Sequence, residues 1–174
     1  LQLKTIADIG IIGMPNAGKS SLLAAVTSAT PKIASYQFTT TNPNLGVAIY
    51  DKNEITLADI PGLIEGAHKG VGLGIKFLKH IERCNTLLHL IDINNKDLVN
   101  SYMQVRIELE KYSKSLLKKN ELIVFNKIDL ISKKNLEDKK EKFIKKIKKN
   151  VLTLSTLNKS SVSQLKSKLI KNVY

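Results

Sequence analysis

Eight consecutive residues near the start of the chain have the types and spacing needed to bind phosphate. Two glycines frame a loop that closes on Lys19 and Ser20, and this segment matches the pattern G-x-x-x-x-G-K-[ST] at every fixed position. The apolar run before the loop predicts a strand and the segment after it predicts a helix, so backbone N–H groups would face an anion. We expect Lys19 to reach the β- and γ-phosphates of a nucleotide and Ser20 to bind Mg²⁺. The expected phosphate-binding residues are Gly13, Met14, Pro15, Asn16, Ala17, Gly18, Lys19 and Ser20.

A second candidate is the carboxylate of Asp59, near the end of an apolar run over residues 54–60. This run predicts a strand that forms a hairpin with a strand at 44–50. An acidic residue at the end of a strand beside a phosphate loop can hold Mg²⁺ through its water shell. Gly62 follows directly and could give its N–H to the γ-phosphate.

Three consecutive threonines, Thr39, Thr40 and Thr41, lie in a polar stretch at 30–43. A threonine there could place its hydroxyl on Mg²⁺ and its backbone N–H on the γ-phosphate. The alternative is a β-favouring stretch at a sheet edge. Downstream of a phosphate loop the first interpretation is favoured, because such a switch segment senses loss of the γ-phosphate.

The tetrad Asn126-Lys127-Ile128-Asp129 follows another apolar run and indicates a guanine-binding segment. The Asp129 carboxylate can accept hydrogen bonds from N1–H and the 2-amino group of guanine, a pair that adenine does not offer. We expect Asn126 to tie this segment to the phosphate loop and the Lys127 stem to cover the base.

Strand and helix patterns alternate along the whole chain. Further strands are predicted at 86–93, 121–125 and 151–154, and further helices at 75–84, 96–117, 133–150 and 162–173. We therefore predict an α/β fold, a three-layer P-loop NTPase sandwich whose six-stranded sheet is mostly parallel with one antiparallel edge strand. We expect one domain over residues 1–174, with the nucleotide at the C-terminal ends of the strands.

The charge balance favours anionic partners. The formal net charge is +13 at pH 7, from 28 Lys and Arg against 15 Asp and Glu. Such an excess favours nucleic acid above all. The predicted helix at 133–150 has a lysine-rich outer face, which suits either an RNA contact or a solvated surface, and both interpretations stay open.

Cysteine usage and hydropathy exclude several classes of protein. The single cysteine, Cys84, rules out an internal disulfide and is expected to be a core residue in a reducing compartment. No apolar run is long enough to span a bilayer, and no secretory signal precedes the first strand. Because the chain begins at Leu1 rather than Met, we expect it to be cut from a longer protein.

The motifs in this order, with their neighbours, resemble the GTPase domain of the Obg family. The distinguishing stretches are residues 31–34, 38–40, 43–46, 59–67, 72–74 and 77–83. The resemblance covers nearly the whole chain. It implies a Ras-like G domain that binds GTP and GDP and hydrolyses GTP with Mg²⁺ in the cytoplasm, as a slow switch in large ribosomal subunit assembly. We also expect a monomer.

The resemblance also implies roles for individual residues. The metal residues would be Ser20, Thr40 and Asp59, and the catalytic residues Lys19, Thr40, Gly62 and Asn16. Beyond the phosphate loop, the residues implied to line the nucleotide are Phe38, Thr39, Thr40, Thr41, Asn42, Asp59, Ile60, Pro61, Gly62, Asn126, Lys127, Ile128, Asp129, Ser155, Thr156 and Leu157.

The chain departs from the family pattern in several places. The family's glycine-rich N-terminal domain is absent here, which fits a trimmed chain. Thr156 stands where the family usually has alanine, but the expected contact is a backbone N–H to guanine O6, so we expect the change to be tolerated. Asn42 replaces a usually apolar residue, with no clear consequence.

The residue after the D-x-x-G motif bears on the rate. In Ras-like GTPases a glutamine at this position orients the attacking water. In this chain the position is Leu63, whose side chain can neither donate nor accept a hydrogen bond. Related GTPases with asparagine at the place of Asn16 can use a potassium ion, held where an arginine finger would act. We expect a low intrinsic rate and a potassium ion at Asn16.

Three alternatives remain. An ATP-using P-loop protein is disfavoured by Asp129. A ribosomal RNA-binding module could use its nucleotide only for structure, which phosphate release from GTP would test. A GTPase of a neighbouring family could share parts of the pattern.

Overall fold

The computed structural model describes residues 7–27, 32–33, 44–59 and 84–173. The predicted switch residues at 38–42, residues 60–62, the stretch at 63–74 and most of the predicted helix at 75–84 lie outside these ranges. Seven strands are described: β1 (Ile9–Ile12), β2 (Lys32–Ile33), β3 (Asn44–Tyr50), β4 (Asn53–Asp59), β5 (Thr86–Asp92), β6 (Asn120–Asn126) and β7 (Val151–Thr153). The described α-helices are α1 (Lys19–Val26), α2 (Leu98–Tyr112), α3 (Lys133–Ile147) and α4 (Lys159–Val173), with short 3₁₀ turns at Leu116–Lys118 and Ile128–Leu130.

The described strands form one sheet in the order β2-β3-β4-β1-β5-β6-β7. Strands β4, β1, β5, β6 and β7 are parallel, and β3 is antiparallel to β4. The C-terminal ends of the parallel strands therefore share one edge, which brings the last residues of β1, β4, β6 and β7 to the same side of the sheet. The predicted α/β class is confirmed.

The predicted count of six strands is wrong by one within the described part of the chain. The two-residue β2 pairs antiparallel with β3 and lies outside it, so β3 is not the last strand on that side. Two residues are too few to show the alternation that identifies a strand from sequence.

The β3–β4 hairpin has the tight turn that its sequence predicts. Tyr50 pairs with Asn53, which leaves a two-residue loop. Asp51 and Lys52 both have positive φ, 47° and 66°, as a type I′ turn requires. This turn matches the twist of the two strands and fixes their register.

Both faces of the sheet are covered by helices. Leu22 and Leu23 of α1 and Leu165 of α4 pack with alternate strand residues such as Leu88 and Leu90. On the other face, the buried side chains of α2 and α3 meet strand residues that include Leu87, Ile91 and Phe125. Strand β5, which has neighbours on both sides, is buried on both faces for this reason.

Cys84 is buried beside the α2 face of the sheet, as predicted. Burial raises the pKa of its thiol to about 11, and the positive charge of Lys119 only partly opposes this shift. The thiol is therefore protonated at neutral pH, which suits a packing role.

Two predicted helices extend too far. The helix predicted at 96–117 ends at Tyr112, where Ser113 takes an extended backbone conformation and its hydroxyl accepts the N–H of Ser115. The helix predicted at 133–150 ends at Ile147, since Lys148 has a left-handed φ of 58° that closes the helix. Ser132 caps its other end through the N–H of Asn135.

Candidate nucleotide-binding site

The loop between β1 and α1 has a backbone that its two glycines make possible. Gly13 and Gly18 have φ of 153° and 94°. A Cβ on Gly13 would lie 2.3 Å from the carbonyl oxygen of Leu90, and one on Gly18 would lie 2.4 Å from Nδ2 of Asn126. Both positions therefore require glycine, for conformation and for space.

Lys19 reaches back over this loop from the first turn of α1. Its ammonium donates hydrogen bonds to the carbonyl oxygens of Gly13 and Met14, both at 3.1 Å. The positive charge is therefore held beside the loop backbone, next to the N-terminus of α1, where a phosphate would be stabilised.

Ser20 and Asp59 meet across two elements. The Ser20 hydroxyl donates to Oδ2 of Asp59 at 2.6 Å, which joins the start of α1 to the end of β4. Asp59 is only 2% exposed, and its Oδ1 has no hydrogen-bond partner among the described residues. A hydroxyl beside a buried carboxylate with an unused oxygen is an oxygen donor set of the kind that Mg²⁺ prefers. The residues present fit a magnesium ion.

Asn126 ends β6 and is bonded to the phosphate loop. Its side-chain Nδ2 donates to the carbonyl oxygen of Ala17 at 3.0 Å, which is the tie that the sequence predicts. The residue is 1% exposed, and its Oδ1 has no partner within the described ranges. This contact fixes the start of the tetrad against the loop.

Lys127 spans three segments. Its ammonium lies 2.8 Å from the carbonyl oxygen of Asn16 and 2.6 Å from Oδ2 of Asp92, at the end of β5. Its φ of 63° is left-handed, which turns the chain out of β6. Burial would raise the pKa of Asp92, but the Lys127 hydrogen bond and the N–H of Asn94 outweigh it and lower that pKa.

The Asp129 carboxylate is held by the segment after β7. The Ser155 hydroxyl donates to Oδ1 of Asp129 at 2.6 Å. Ser155 is 4% exposed, whereas Leu157 is 84% exposed. The side chain of Asp129 is accessible to a ligand while one of its oxygens is fixed by a buried residue.

The predicted site residues divide into two groups. The phosphate loop, Asp59, the tetrad and residues 155–157 lie at the C-terminal edge of the sheet, joined by the contacts above. Phe38, Thr39, Thr40, Thr41, Asn42, Ile60, Pro61 and Gly62 lie outside the described residues, so their roles stay predictions.

Sequence reasoning missed two contacts. The sequence patterns assigned no contact to Asp92 or Ser161. In the structure Asp92 binds Lys127, and the Ser161 hydroxyl accepts the N–H of Ser155 at 3.1 Å. A carboxylate at the C-terminal end of a parallel strand is a signal that could have identified Asp92. No comparable signal marks Ser161.

One edge of the sheet carries a glycine loop that closes on Lys-Ser, a carboxylate at the end of the neighbouring strand β4, and an N-K-x-D tetrad. This combination defines a GTPase domain of the P-loop class. A family model described as "50S ribosome-binding GTPase" matches residues 8–127. The chain belongs to this family.

Named relatives agree with this assignment and confirm the resemblance to Obg. The chain is 65% identical over 173 residues to "GTPase Obg" of Pelagibacter ubique, covering 99% of the chain and 53% of that relative. It is 52% identical to "GTPase Obg" of Rickettsia rickettsii, covering 95% of the chain and 50% of that protein. The chain thus spans about half the length of the curated relatives that it matches.

Solved structures share the fold. Era in complex with MgGDPNP and a segment of 16S ribosomal RNA has a TM-score of 0.72 at 26% identity, over 94% of this chain and 55% of that one. The G domain of the T. maritima FeoB iron transporter has a TM-score of 0.69 at 19% identity, over 95% of this chain and 98% of that one. Within the described ranges, no helix combines the length and apolarity needed to cross a membrane.

Proposed function

We propose that this chain binds GTP with Mg²⁺ and hydrolyses it slowly, as a molecular switch. The observation that carries the proposal is that the Ser20–Asp59 pair and the Ser155–Asp129 pair lie on one edge of the sheet. The Ser20–Asp59 pair could bind a metal ion beside the phosphates, and the Ser155–Asp129 pair could accept hydrogen bonds from a purine base. The phosphate loop and Lys127 connect them.

The magnesium site is assigned to Ser20, Asp59 and Thr40. The metal, when bound, neutralises charge on the β- and γ-phosphates. Ser20 supplies a hydroxyl ligand, and the hydrogen bond from Ser20 to Asp59 orients that hydroxyl. The second oxygen of Asp59 would bind water molecules that surround the metal. Thr40 lies outside the described residues and is assigned from the family likeness alone.

Guanine is assigned to the tetrad and to residues 155–157. Asp129 accepts from the base, Asn126 holds the tetrad on the phosphate loop, and the Lys127 stem covers the ring. The ammonium of Lys127 is already bonded to Asp92 and Asn16, so its apolar stem is the part left to contact a base. The N–H of Thr156 would bind guanine O6.

Hydrolysis is assigned to positioning and charge rather than to a general base. Lys19 opposes charge developing on the phosphates, while Thr40 and Gly62 are proposed to position the γ-phosphate and water. Leu63 cannot orient water, so the intrinsic rate is low. Asn16 is exposed and has a left-handed φ of 63°. A potassium ion bound by its side chain is proposed from the family likeness.

A large ribosomal subunit, through its RNA, is the proposed macromolecular partner. The family description names 50S ribosome binding, and the net charge of +13 exceeds what a nucleotide needs. Four exposed lysines at the end of α3 form a lysine surface, defined here as Lys142, Lys145, Lys146 and Lys148. Lys149, expected on the same face, instead binds the buried carboxylate of Glu121 at 2.6 Å and is left out of this surface.

The oligomeric state and the cellular compartment are also proposals. We propose a monomeric single GTPase domain that acts in the cytoplasm. An RNA-binding module that uses nucleotide only structurally is the second candidate, supported by the same excess of lysine.

Phosphate release separates these two functions. The purified chain is given GTP or ATP, with Mg²⁺ or with EDTA, and inorganic phosphate is followed over many turnovers. We expect slow release from GTP that requires Mg²⁺ and is lost in Lys19→Ala. Stoichiometric GTP binding without any release would support the structural alternative.

A further inference from the structure

The first turn of α4 is connected to the proposed base site by a short series of hydrogen bonds. Asn158 precedes the helix, and its Oδ1 accepts the N–H groups of Ser160 at 2.9 Å and Ser161 at 3.2 Å. These bonds fix the backbone at Ser161 in the manner of an N-cap.

The side chain of Ser161 points back to the segment after β7. Its Oγ accepts the N–H of Ser155 at 3.1 Å. The Ser155 carbonyl accepts the N–H of Asn158 at 3.1 Å, so the two ends of this turn hold each other. Since Ser155 is buried, Ser161 satisfies an N–H that water reaches poorly.

Ser155 then acts on Asp129. Its hydroxyl donates to Oδ1 of Asp129 at 2.6 Å, and Asp129 is an exposed residue. An exposed carboxylate without such a bond would sample several rotamers. The position of Ser155 therefore limits the orientations of Asp129.

We propose that Ser161 is a positioning residue for guanine recognition, which acts through Ser155 to orient the Asp129 carboxylate. This inference rests on the proposed role of Asp129 as the base acceptor. Ser161 touches no nucleotide in this account. Its contribution is to discrimination, because a carboxylate that is held in place penalises a base lacking the matching donor.

The comparison of GDP with IDP isolates this effect. Hypoxanthine keeps N1–H and O6 but lacks the 2-amino group, so the ratio of the two dissociation constants reports how well Asp129 engages that group. A variant that merely loosens the fold weakens both ligands and leaves the ratio unchanged.

The experiment measures both dissociation constants for the parent chain, Ser161→Ala, Ser161→Thr and Ser160→Ala. The alanine removes the acceptor and the threonine keeps it. Ser160 is the matched control, since it neighbours Ser161, shares the Asn158 cap and has an exposed side chain. We expect Ser161→Ala to reduce the preference for GDP roughly three- to tenfold, the range of one lost hydrogen bond, while Ser161→Thr and Ser160→Ala keep the parent preference.

An unchanged GDP preference in Ser161→Ala, or a loss equal to that in Ser160→Ala, would overturn the proposal. Asp129→Asn, measured beside these variants, distinguishes failure of the underlying assignment. If Asp129→Asn also keeps the GDP preference, then Asp129 is not the base acceptor and the proposed guanine site is wrong. If only Asp129→Asn loses it, the guanine site stands and the Ser161 inference fails.

Discussion

The ammonium of Lys127 lies 2.6 Å from the carboxylate of Asp92, an ion pair between the tetrad and the end of β5. The same ammonium bonds to the carbonyl oxygen of Asn16 in the phosphate loop. One side chain thus joins the proposed base site to the proposed phosphate site. Removing the charge of Asp92 should therefore weaken nucleotide binding at the base site and at the phosphate site together.

We predict that Asp92→Asn weakens GDP and GTP binding together, by roughly three- to tenfold, because a partly exposed charge pair contributes modestly. The asparagine keeps an acceptor for the N–H of Asn94, but it replaces the charged oxygen that Lys127 contacts with an amide NH₂ group. Titration of both nucleotides checks this. Asp138→Asn, on the exposed side of α3, is the control and should change neither constant; a parent-like affinity in Asp92→Asn would remove the ion pair from the account.

A second charged cluster lies under α2, around a carboxylate on β6. Glu121 has a side chain only 1% exposed. It contacts His89, Tyr102, Arg106 and Lys149. Burial alone would raise the pKa of Glu121, but hydrogen bonds from His89 and Lys149 and the charge of Arg106 lower it to about 2.

We predict that Glu121→Gln reduces the free energy of unfolding at pH 7 by about 2 kcal/mol, because it removes a buried carboxylate that accepts charge-assisted hydrogen bonds from the partly exposed Arg106 and Lys149. Urea titration measures the loss. Glu110→Gln, exposed on α2, is the control.

The difference in the free energy of unfolding between the parent chain and Glu121→Gln should depend on pH. Because folding lowers the pKa of Glu121 from 4.5 to about 2, its stabilisation is complete above the unfolded value and is lost as the pH falls towards 2. The stability difference between the parent and Glu121→Gln should be constant from pH 7 to pH 5 and should shrink below pH 4.5. A difference that grows on acidification would contradict this assignment.

For the lysine surface, we predict that four reversals to glutamate weaken association with purified large ribosomal subunits and flatten its salt dependence. The variant combines Lys142→Glu, Lys145→Glu, Lys146→Glu and Lys148→Glu. The control carries the same change of charge at exposed sites elsewhere, namely Lys96, Lys114, Lys118 and Lys168. If both variants lose the same affinity, net charge alone drives binding; if neither does, the lysines only solvate the helix.

Potassium dependence tests the proposed role of Asn16. GTP turnover by the parent should be faster in potassium chloride than in sodium chloride at equal ionic strength, since a positioned cation opposes charge at the β–γ bridge. Asn16→Ala should lose this stimulation. Because Asn16 has a left-handed φ, Asn16→Gly removes the side chain without backbone strain and should behave alike. Equal parental rates in the two salts would refute the idea.

The proposed nucleotide site could be predicted from sequence because its residues belong to contiguous motifs. Each predicted residue from Gly13 to Ser20 and from Asn126 to Asp129 belongs to a run whose spacing is set by one loop, so position in the run predicts position in space. Asn126 could even be assigned its contact with the loop, which is present.

Contacts between residues far apart in the chain could not be predicted from the sequence. Asp92 and Lys127 are brought together by the register of β5 with β6, in which Asp92 pairs with Asn126. Lys149 was expected on the lysine-rich outer face of its helix, but it follows the left-handed Lys148 and binds Glu121. Such pairings depend on strand register and on single backbone angles, which residue types and periodicity do not specify.

If Asp129 binds guanine in a GTP site, a substitution at this residue should change the base specificity. GTP, XTP and ATP are titrated in parallel against the parent and Asp129→Asn. We predict that the parent prefers GTP, and that Asp129→Asn binds GTP about tenfold to a hundredfold more weakly because a charge-assisted pair is lost. XTP should bind the variant better than the parent, since xanthine has a carbonyl where guanine has its amino group. Unchanged GTP affinity in Asp129→Asn would contradict the account.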